Sequence, residues 1–191
     1  DILSTNNGGS QWDIQNSDQY LYDAHFVNSS KGWAVGNQSS IVHTEDGGEN
    51  WSEQISPVLY QNLFSVYFIN DTVGWAVGDV ILNTLNAGEN WDIQENADYK
   101  RTYFNTQFIN DKEGWVSGNP GLFKYTADGG LNWETINIST KQSVNDFQMF
   151  NEYDGLIASN KIFRTSDSGA SWEELETPFN YFNALYFHNE N

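Results

Sequence analysis

An eight-residue motif, Thr-x-Asp/Asn-x-Gly-x-x-Trp, occurs five times in this chain of 191 residues and limits what the chain can fold into. The copies end at Trp12, Trp51, Trp91, Trp133 and Trp172. Their spacing of roughly 40 residues is typical of propeller blades. Because a unit of that length cannot bury its own apolar face, successive copies must stack on one another. The motif therefore predicts a repeat scaffold.

A second motif keeps the same period. Gly32-Trp33-Ala34-Val35-Gly36 recurs at Gly74–Gly78 and Gly114–Gly118, and it decays at Gly155–Ser159. A Phe stands six residues before each of the first three glycines, and Met149 takes that place in the fourth copy. The two motifs together indicate four complete repeats.

Each repeat predicts four short strands, here called A to D. In strand A, Phe64, Val66 and Phe68 are predicted to lie on one face, with Ser65 and Tyr67 on the other, because alternation with a period of two is typical of a strand. No segment shows helical periodicity over the ten or so residues that a helix requires. We therefore predict an all-β protein, a β-propeller of four-stranded antiparallel blades with the eight-residue motif at each C–D turn.

The motif itself has a mechanical explanation. Asp or Asn at its third position can accept backbone hydrogen bonds, Gly at its fifth position allows a positive φ, and the Trp ring packs between sheets. Asn replaces Asp in two copies, so we interpret the carboxylates as structural and not catalytic. The residues assigned to these turns are Thr5, Asn7, Gly9, Trp12, Thr44, Asp46, Gly48, Trp51, Thr84, Asn86, Gly88, Trp91, Thr126, Asp128, Gly130, Trp133, Thr165, Asp167, Gly169 and Trp172.

These turns resemble Asp-box (BNR-type) repeats, which are known from β-propellers. With the Phe-x-Asn and Gly-Trp-Ala-Val-Gly elements, the unit is most similar to the photosystem II assembly/stability factor family and its bacterial secreted relatives. The resemblance covers essentially the whole chain and implies the propeller fold. It implies little about activity, because such repeats occur in enzymes and in binding proteins alike.

We predict a single domain, residues 1–191, because no linker interrupts the repeats. Blades are expected at about 20–61, 62–101, 102–142 and 143–180, with partial blades at 1–19 (strands C and D) and 181–191 (strand A). Propellers close with about four to eight blades. We therefore expect the chain to be a portion of a longer one, with further blades or domains of that chain as partners. A five-bladed ring that lacks one strand is the alternative.

Net charge and composition restrict the partners. The formal charge of −18 repels phosphate backbones, and the few Lys and Arg residues form no basic stripe, so nucleic acid is not an expected partner. No apolar run is long enough for direct membrane insertion, and no signal peptide is visible in this segment. There is no Cys and no Ca²⁺-loop motif, so neither a metal nor a cofactor is expected.

Catalysis is not predicted either. Sialidases, the best-known catalytic Asp-box proteins, use three arginines around the substrate carboxylate, and this chain has only Arg101 and Arg164. No carboxylates are paired at the separation that glycoside hydrolysis needs. We interpret His25, His43 and His188 as incidental, because their positions differ between repeats.

The most variable segments are the D–A loops, and binding residues collect in variable loops. In a four-stranded blade these loops share one face with the B–C turns, opposite the Asp-box turns. Aromatic side chains with adaptable polar neighbours suit contact with a protein or a glycan. The candidate binding residues are Tyr60, Tyr99, Lys100, Arg101, Tyr103 and Tyr181.

The resulting functional hypothesis is a non-catalytic propeller module of a larger secreted or cell-surface bacterial protein, with a protein or a polysaccharide as its partner. The alternative is an assembly or stability factor for a membrane complex of the photosystem kind. Resemblance to that family implies a positively charged patch, which the acidity of this chain disfavours. A fragment of a glycoside hydrolase is a more distant alternative.

Overall fold

The computed structural model describes residues 2–5, 7–15, 19–97 and 100–187. In that part of the chain the strands form four four-stranded antiparallel sheets and one two-stranded sheet, with no α-helix. The predicted all-β class and the predicted four-stranded blades are confirmed.

Strands follow the order A, B, C, D across each blade. The partial blade contains β1 (Ile2–Ser4) and β2 (Asp13–Gln15). Blade 1 contains β3 (Leu21–Phe26), β4 (Gly32–Gly36), β5 (Ile41–Thr44) and β6 (Ser52–Glu53). Blade 2 contains β7 (Leu63–Phe68), β8 (Gly74–Gly78), β9 (Val80–Thr84) and β10 (Asp92–Asn96). Blade 3 contains β11 (Thr102–Phe108), β12 (Gly114–Asn119), β13 (Leu122–Thr126) and β14 (Glu134–Thr135). Blade 4 contains β15 (Asp146–Met149), β16 (Gly155–Ala158), β17 (Ile162–Thr165) and β18 (Glu173–Leu175).

Strand B is buried on both faces, since neighbouring blades cover it. All five residues of β4 are buried, and the same is true of β8. A strand covered on both sides is continuously apolar and does not alternate. The last residue of strand B must be glycine because the backbone of strand A passes close to it. A Cβ at Gly36 would overlap the carbonyl oxygen of Tyr20.

Strand A departs from simple alternation through a β-bulge. In β7 the pairing shifts between Leu63 and Ser65, which leaves Phe64 as the extra residue. Leu63 then joins Val66 and Phe68 in the buried core cluster. The prediction that Phe64 shares a face with these residues is therefore wrong, because a bulge re-aims the side chain at the extra position. Equivalent bulges occur in β3 and β11.

Successive blades contact one another mainly through their A strands, β3, β7, β11 and β15, which we call the inner strands. The sheets do not close into a ring within the described part of the chain, so the structure is a partial propeller. No helix in that part is long and apolar enough to span a membrane.

Residues 182–187, in the predicted final strand A, form no regular strand. They are still held against β15, since the backbone N–H of Leu185 donates to Asp146 at 2.8 Å and that of Phe187 donates to Gln148 at 3.1 Å. The domain limits predicted from the repeats remain predictions.

Candidate binding face

Backbone hydrogen bonds sort the connections between strands into two faces. On the Asp-box face, formed by the A–B and C–D turns, Gly47 N donates to Ser30 O at 2.7 Å. On the opposite face, formed by the D–A loops and B–C turns, Gly121 N donates to Gln142 O at 2.9 Å. We call the second surface the loop face.

Each Asp-box turn is closed by its own side chains. Thr44 Oγ1 donates to Asp46 Oδ1 at 2.8 Å and accepts from Gly48 N at 2.9 Å. Asp46 Oδ1 accepts from Asn50 N at 2.8 Å, and its Oδ2 accepts from Asn50 Nδ2 at 2.7 Å. In the copies with Asn, the side-chain amide oxygen accepts the backbone hydrogen bond in place of the carboxylate. Asn86 Oδ1, for example, accepts from Asn90 N at 3.0 Å.

These bonds fix the ionisation of the carboxylates. Hydrogen bonds from the backbone and side chain of Asn50 lower the pKa of Asp46 to about 2. The pKa values of Asp128 and Asp167 are lowered in the same way, first by side-chain bonds from Asn132 and Ser171. A general acid needs a pKa near the working pH, so these groups are poorly suited to that role. Within the described ranges, no three His, Cys, Asp or Glu side chains are grouped to hold a metal ion.

The tryptophans join blade to blade. The ring of Trp33 in strand B stacks on Phe68 of the next blade, with centroids 3.5 Å apart, and its Nε1 donates to Ala87 O of the next Asp-box at 3.0 Å. Trp91 meets Phe68 edge-to-face at 5.9 Å. Trp12 differs: it is 54% exposed, and in the described part of the chain its sheet contains only β1 and β2.

Polar side chains bridge the inner strands. Asp23 Oδ2 accepts from Val66 N at 2.9 Å, and His25 Nδ1 accepts from Phe68 N at 3.0 Å. His25 therefore has a structural role that the sequence did not indicate, since it makes a bond that Gln107 makes two joints further along. Burial lowers the pKa of His25, an effect that Asp23 partly opposes.

A second histidine, His43, packs within its own blade. His43 stacks on Trp33, with centroids 4.7 Å apart, and burial lowers its pKa. His188 lies outside the described residues.

The candidate binding residues do not share one environment. Tyr60 and Tyr181 are 83% and 76% exposed on the loop face, and Lys100 and Arg101 are exposed as well. Tyr99 lies outside the described residues. Other large apolar side chains are exposed on the same face: Tyr20, Ile55, Leu59 and Phe179.

Tyr103 is the exception and requires a correction. Its side chain is 0% exposed, so it cannot contact a partner at the surface. It lies at the position of Leu63 in blade 2, and its hydroxyl donates to Glu95 Oε1 at 2.6 Å. The ammonium of Lys124, which is also buried, binds the same carboxylate oxygen. The sequence contained a signal for this group, because Lys124 stands where Val42 and Leu82 stand in other blades.

Charge divides unequally between the two faces. On the Asp-box face, the A–B and C–D turns hold two basic residues, Lys31 and Lys112, and these acidic ones: Glu45, Asp46, Glu49, Asp71, Glu89, Asp111, Glu113, Asp128, Glu152, Asp154 and Asp167. Among the described residues, the connections of the loop face hold these charged ones: Lys100, Arg101, Lys141, Lys161, Asp79 and Glu176. Asp18 and Asp98 belong to those loops by sequence and lie outside the described residues. The loop face is thus close to neutral on a strongly acidic molecule.

Four-stranded blades with an Asp-box at each C–D turn define the chain as an Asp-box β-propeller. The family model for the photosynthesis system II assembly factor YCF48 matches residues 5–58 and 53–178. The chain belongs to that family, which confirms the resemblance inferred from its motifs. No curated protein matches it in sequence.

Solved structures share the fold at low sequence identity. YCF48 bound to D1 peptide is 21% identical, with a TM-score of 0.66, and the match covers 82% of this chain and 54% of that one. YCF48 from Cyanidioschyzon merolae is 16% identical, with a TM-score of 0.67, covering 90% and 65% respectively. An ancestral GH74 enzyme is 13% identical, with a TM-score of 0.71, covering 84% and 24%. The chain thus spans between about half and two thirds of the two YCF48 chains.

Proposed function

We propose that this chain is a non-catalytic propeller module whose loop face binds an acidic segment of a partner protein. The observation that carries the proposal is the contrast in charge between the faces. The loop face holds Lys100, Arg101, Lys141 and Lys161 together with exposed aromatic and aliphatic side chains, whereas acidic residues far outnumber the two lysines on the Asp-box face. Complementary charge steers association and excludes wrong partners. A family member solved with D1 peptide supports a polypeptide as the ligand.

Orientation follows from the same charge distribution. An acidic segment is repelled by the Asp-box face and meets cations on the loop face, so the field of the molecule favours one approach direction. Exposed aromatic rings then supply contact area at low entropic cost. A neutral polysaccharide, the other partner class expected from the sequence, would gain nothing from this asymmetry.

Binding is tested with the biotinylated chain and a phage-displayed library of random linear dodecapeptides. The expected result is enrichment of acidic peptides, with affinity reduced about tenfold or more by the combined change Tyr60→Ser, Lys100→Ala and Arg101→Ala. Leu131→Ser is the matched control, because Leu131 is equally exposed on the Asp-box face.

Two results would contradict the proposal: selection of peptides with no acidic preference, or equal loss of binding in the control and in the loop-face variant. Retardation of the chain by soluble neutral polysaccharide in an affinity gel, with no peptide selected, would favour the glycan instead.

The compartment is a separate part of the proposal. We propose a secreted or cell-surface location, because the repeats resemble those of the family's bacterial secreted relatives. An assembly factor for a membrane complex would also bind a protein segment, but inside the cell or organelle. Fractionation of cells that express the tagged native gene product distinguishes the two, and recovery with an intracellular membrane complex would contradict the extracellular location.

A further inference from the structure

Three aromatic side chains form a continuous row across the inner strands. Tyr22 of blade 1 stacks on Phe64 of blade 2, with centroids 5.2 Å apart and planes 20° from parallel. Phe64 meets Phe104 of blade 3 edge-to-face at 6.4 Å. We call these three residues the aromatic row. Each is the extra residue of its β-bulge, so the three occupy the same position in successive blades.

The scaffold does not require aromatic residues there. At the same position blade 4 has Asn145, whose amide donates to the carbonyl oxygen of Phe182 at 2.9 Å. The core beneath the bulge is filled by the preceding residue, since Leu63 and Tyr103 are both fully buried. Tyr22 is 51% exposed. Large apolar rings that packing does not demand, set on bulges that re-aim side chains, indicate a contact surface.

The row lies beside the loop face, because the bulges come at the start of strand A, where each D–A loop enters the blade. Exposed Tyr20 and Tyr60 precede Tyr22 and Phe64 in the chain, and Arg101 precedes Phe104. The row is therefore continuous with the surface to which the proposed function assigns an acidic segment.

We propose that the aromatic row anchors a large apolar side chain of that acidic polypeptide segment, an inference that rests on the proposed function. Lys100 and Arg101, which precede Phe104 by four and three residues in the chain, complement acidic residues that flank the anchor. A sugar ring is a poorer occupant, since stacking needs open ring faces and Tyr22 and Phe64 cover one face of each other. An aliphatic or aromatic side chain can pack against the remaining edges.

The test repeats the dodecapeptide selection on three proteins: the wild type, the double variant Phe64→Asn with Phe104→Asn, and the double variant Lys100→Ala with Arg101→Ala. Asn is the replacement because blade 4 already carries it at this position. Wild-type peptides are expected to combine acidic residues with one large apolar residue at a fixed offset. The row variant should keep the acidic preference and lose the apolar one, and it should bind a wild-type-selected peptide about tenfold or more weakly. The cation variant should show the reverse.

The outcomes separate the two proposals. Acidic peptides without an apolar preference, or an apolar preference that survives in the row variant, would overturn the anchor and leave the proposed function standing. If the wild type selects peptides without a preference for acidic residues, the proposed function is overturned. If the double variant melts far below the wild type, the single change Tyr22→Asn replaces it, because the exposed ring of Tyr22 contributes least to folding.

Discussion

At the residue scale, the Asp-box shows which of its atoms matter. The oxygen that Asp46 presents to Asn50 N is supplied equally by Asn86 in the next blade, so the turn needs an acceptor at this position and not a charge. The glycine at the fifth position is different. Its φ lies between 84° and 91° in all five copies, and residues with a Cβ rarely adopt these values.

Asp46→Asn should therefore leave the melting temperature at neutral pH nearly unchanged. The pKa of Asp46 is about 2 in the folded chain against an ordinary value of 3.8, so its ionised form stabilises the fold above about pH 4. That contribution is lost as the pH falls toward about 2, and the Asn variant has no such loss. Melting curves across this range should show the variant becoming the more stable protein. A constant difference at every pH would refute the assignment.

Gly48→Val should destabilise the fold by at least about 1 kcal/mol, because a β-branched residue resists the φ of +91° found there. Chemical denaturation measures the change, and Asp46→Asn in the same turn is the control. Equal effects of the two substitutions would show that backbone strain does not govern the turn.

At the scale of strands, the joints between blades are held by side chains reaching across to backbone. Gln107 both donates to and accepts from the backbone of Met149, and Gln148 does the same with Phe187. His25 fills the equivalent position with a single acceptor. Because that nitrogen must be unprotonated to accept, one joint of the propeller is sensitive to pH.

His25→Gln should remove this sensitivity. Burial lowers the folded-state pKa of His25 below 6.5, so its contribution to stability is complete above pH 6.5 and is lost as the pH falls through the lowered pKa. His43 titrates in the same direction in both proteins, so the difference between them is the quantity to measure. Urea unfolding between neutral pH and about pH 5 should give a shallower pH dependence for the variant. Parallel curves would contradict the role given to His25.

At the scale of the whole molecule, residues at equivalent repeat positions differ in burial, according to the sheet that precedes their blade. Phe26, Phe68 and Phe108 hold the same repeat position, yet Phe26 is 41% exposed and the other two are buried. Phe68 and Phe108 each stack on the Trp of the preceding blade, whereas Phe26 follows a two-stranded sheet. Stability is thus distributed among the joints between blades, as expected of a repeat protein.

Phe68→Ala should cost about 3 to 5 kcal/mol, the usual range for a buried Phe. Phe26→Ala should cost less than half of that, because its ring has no stacked indole and is already partly hydrated. Denaturant titration of the two variants in the 1–191 chain provides the comparison. Equal losses would show that the first joint is as well packed as the others.

The sequence by itself determined the repeat, the strand order, the Asp-box turns and the family, because each of these depends on local spacing that recurs from blade to blade. It also indicated that the loop face varies, but it could not say which loop residues are accessible. Tyr103 and Tyr60 are both tyrosines near the start of a strand A, and only packing decides that one is buried against Glu95 while the other is solvent-exposed.

The tertiary structure alone decided the bulges, the bridges of His25 and Asp23, the aromatic row and the division of charge between faces. The bridges and the aromatic row bring together residues about 40 positions apart in sequence, from successive blades. A one-residue bulge, moreover, changes the face that period-two alternation assigns, which is why the pattern puts Phe64 on the face of Val66 and Phe68 whereas the fold stacks it on Tyr22.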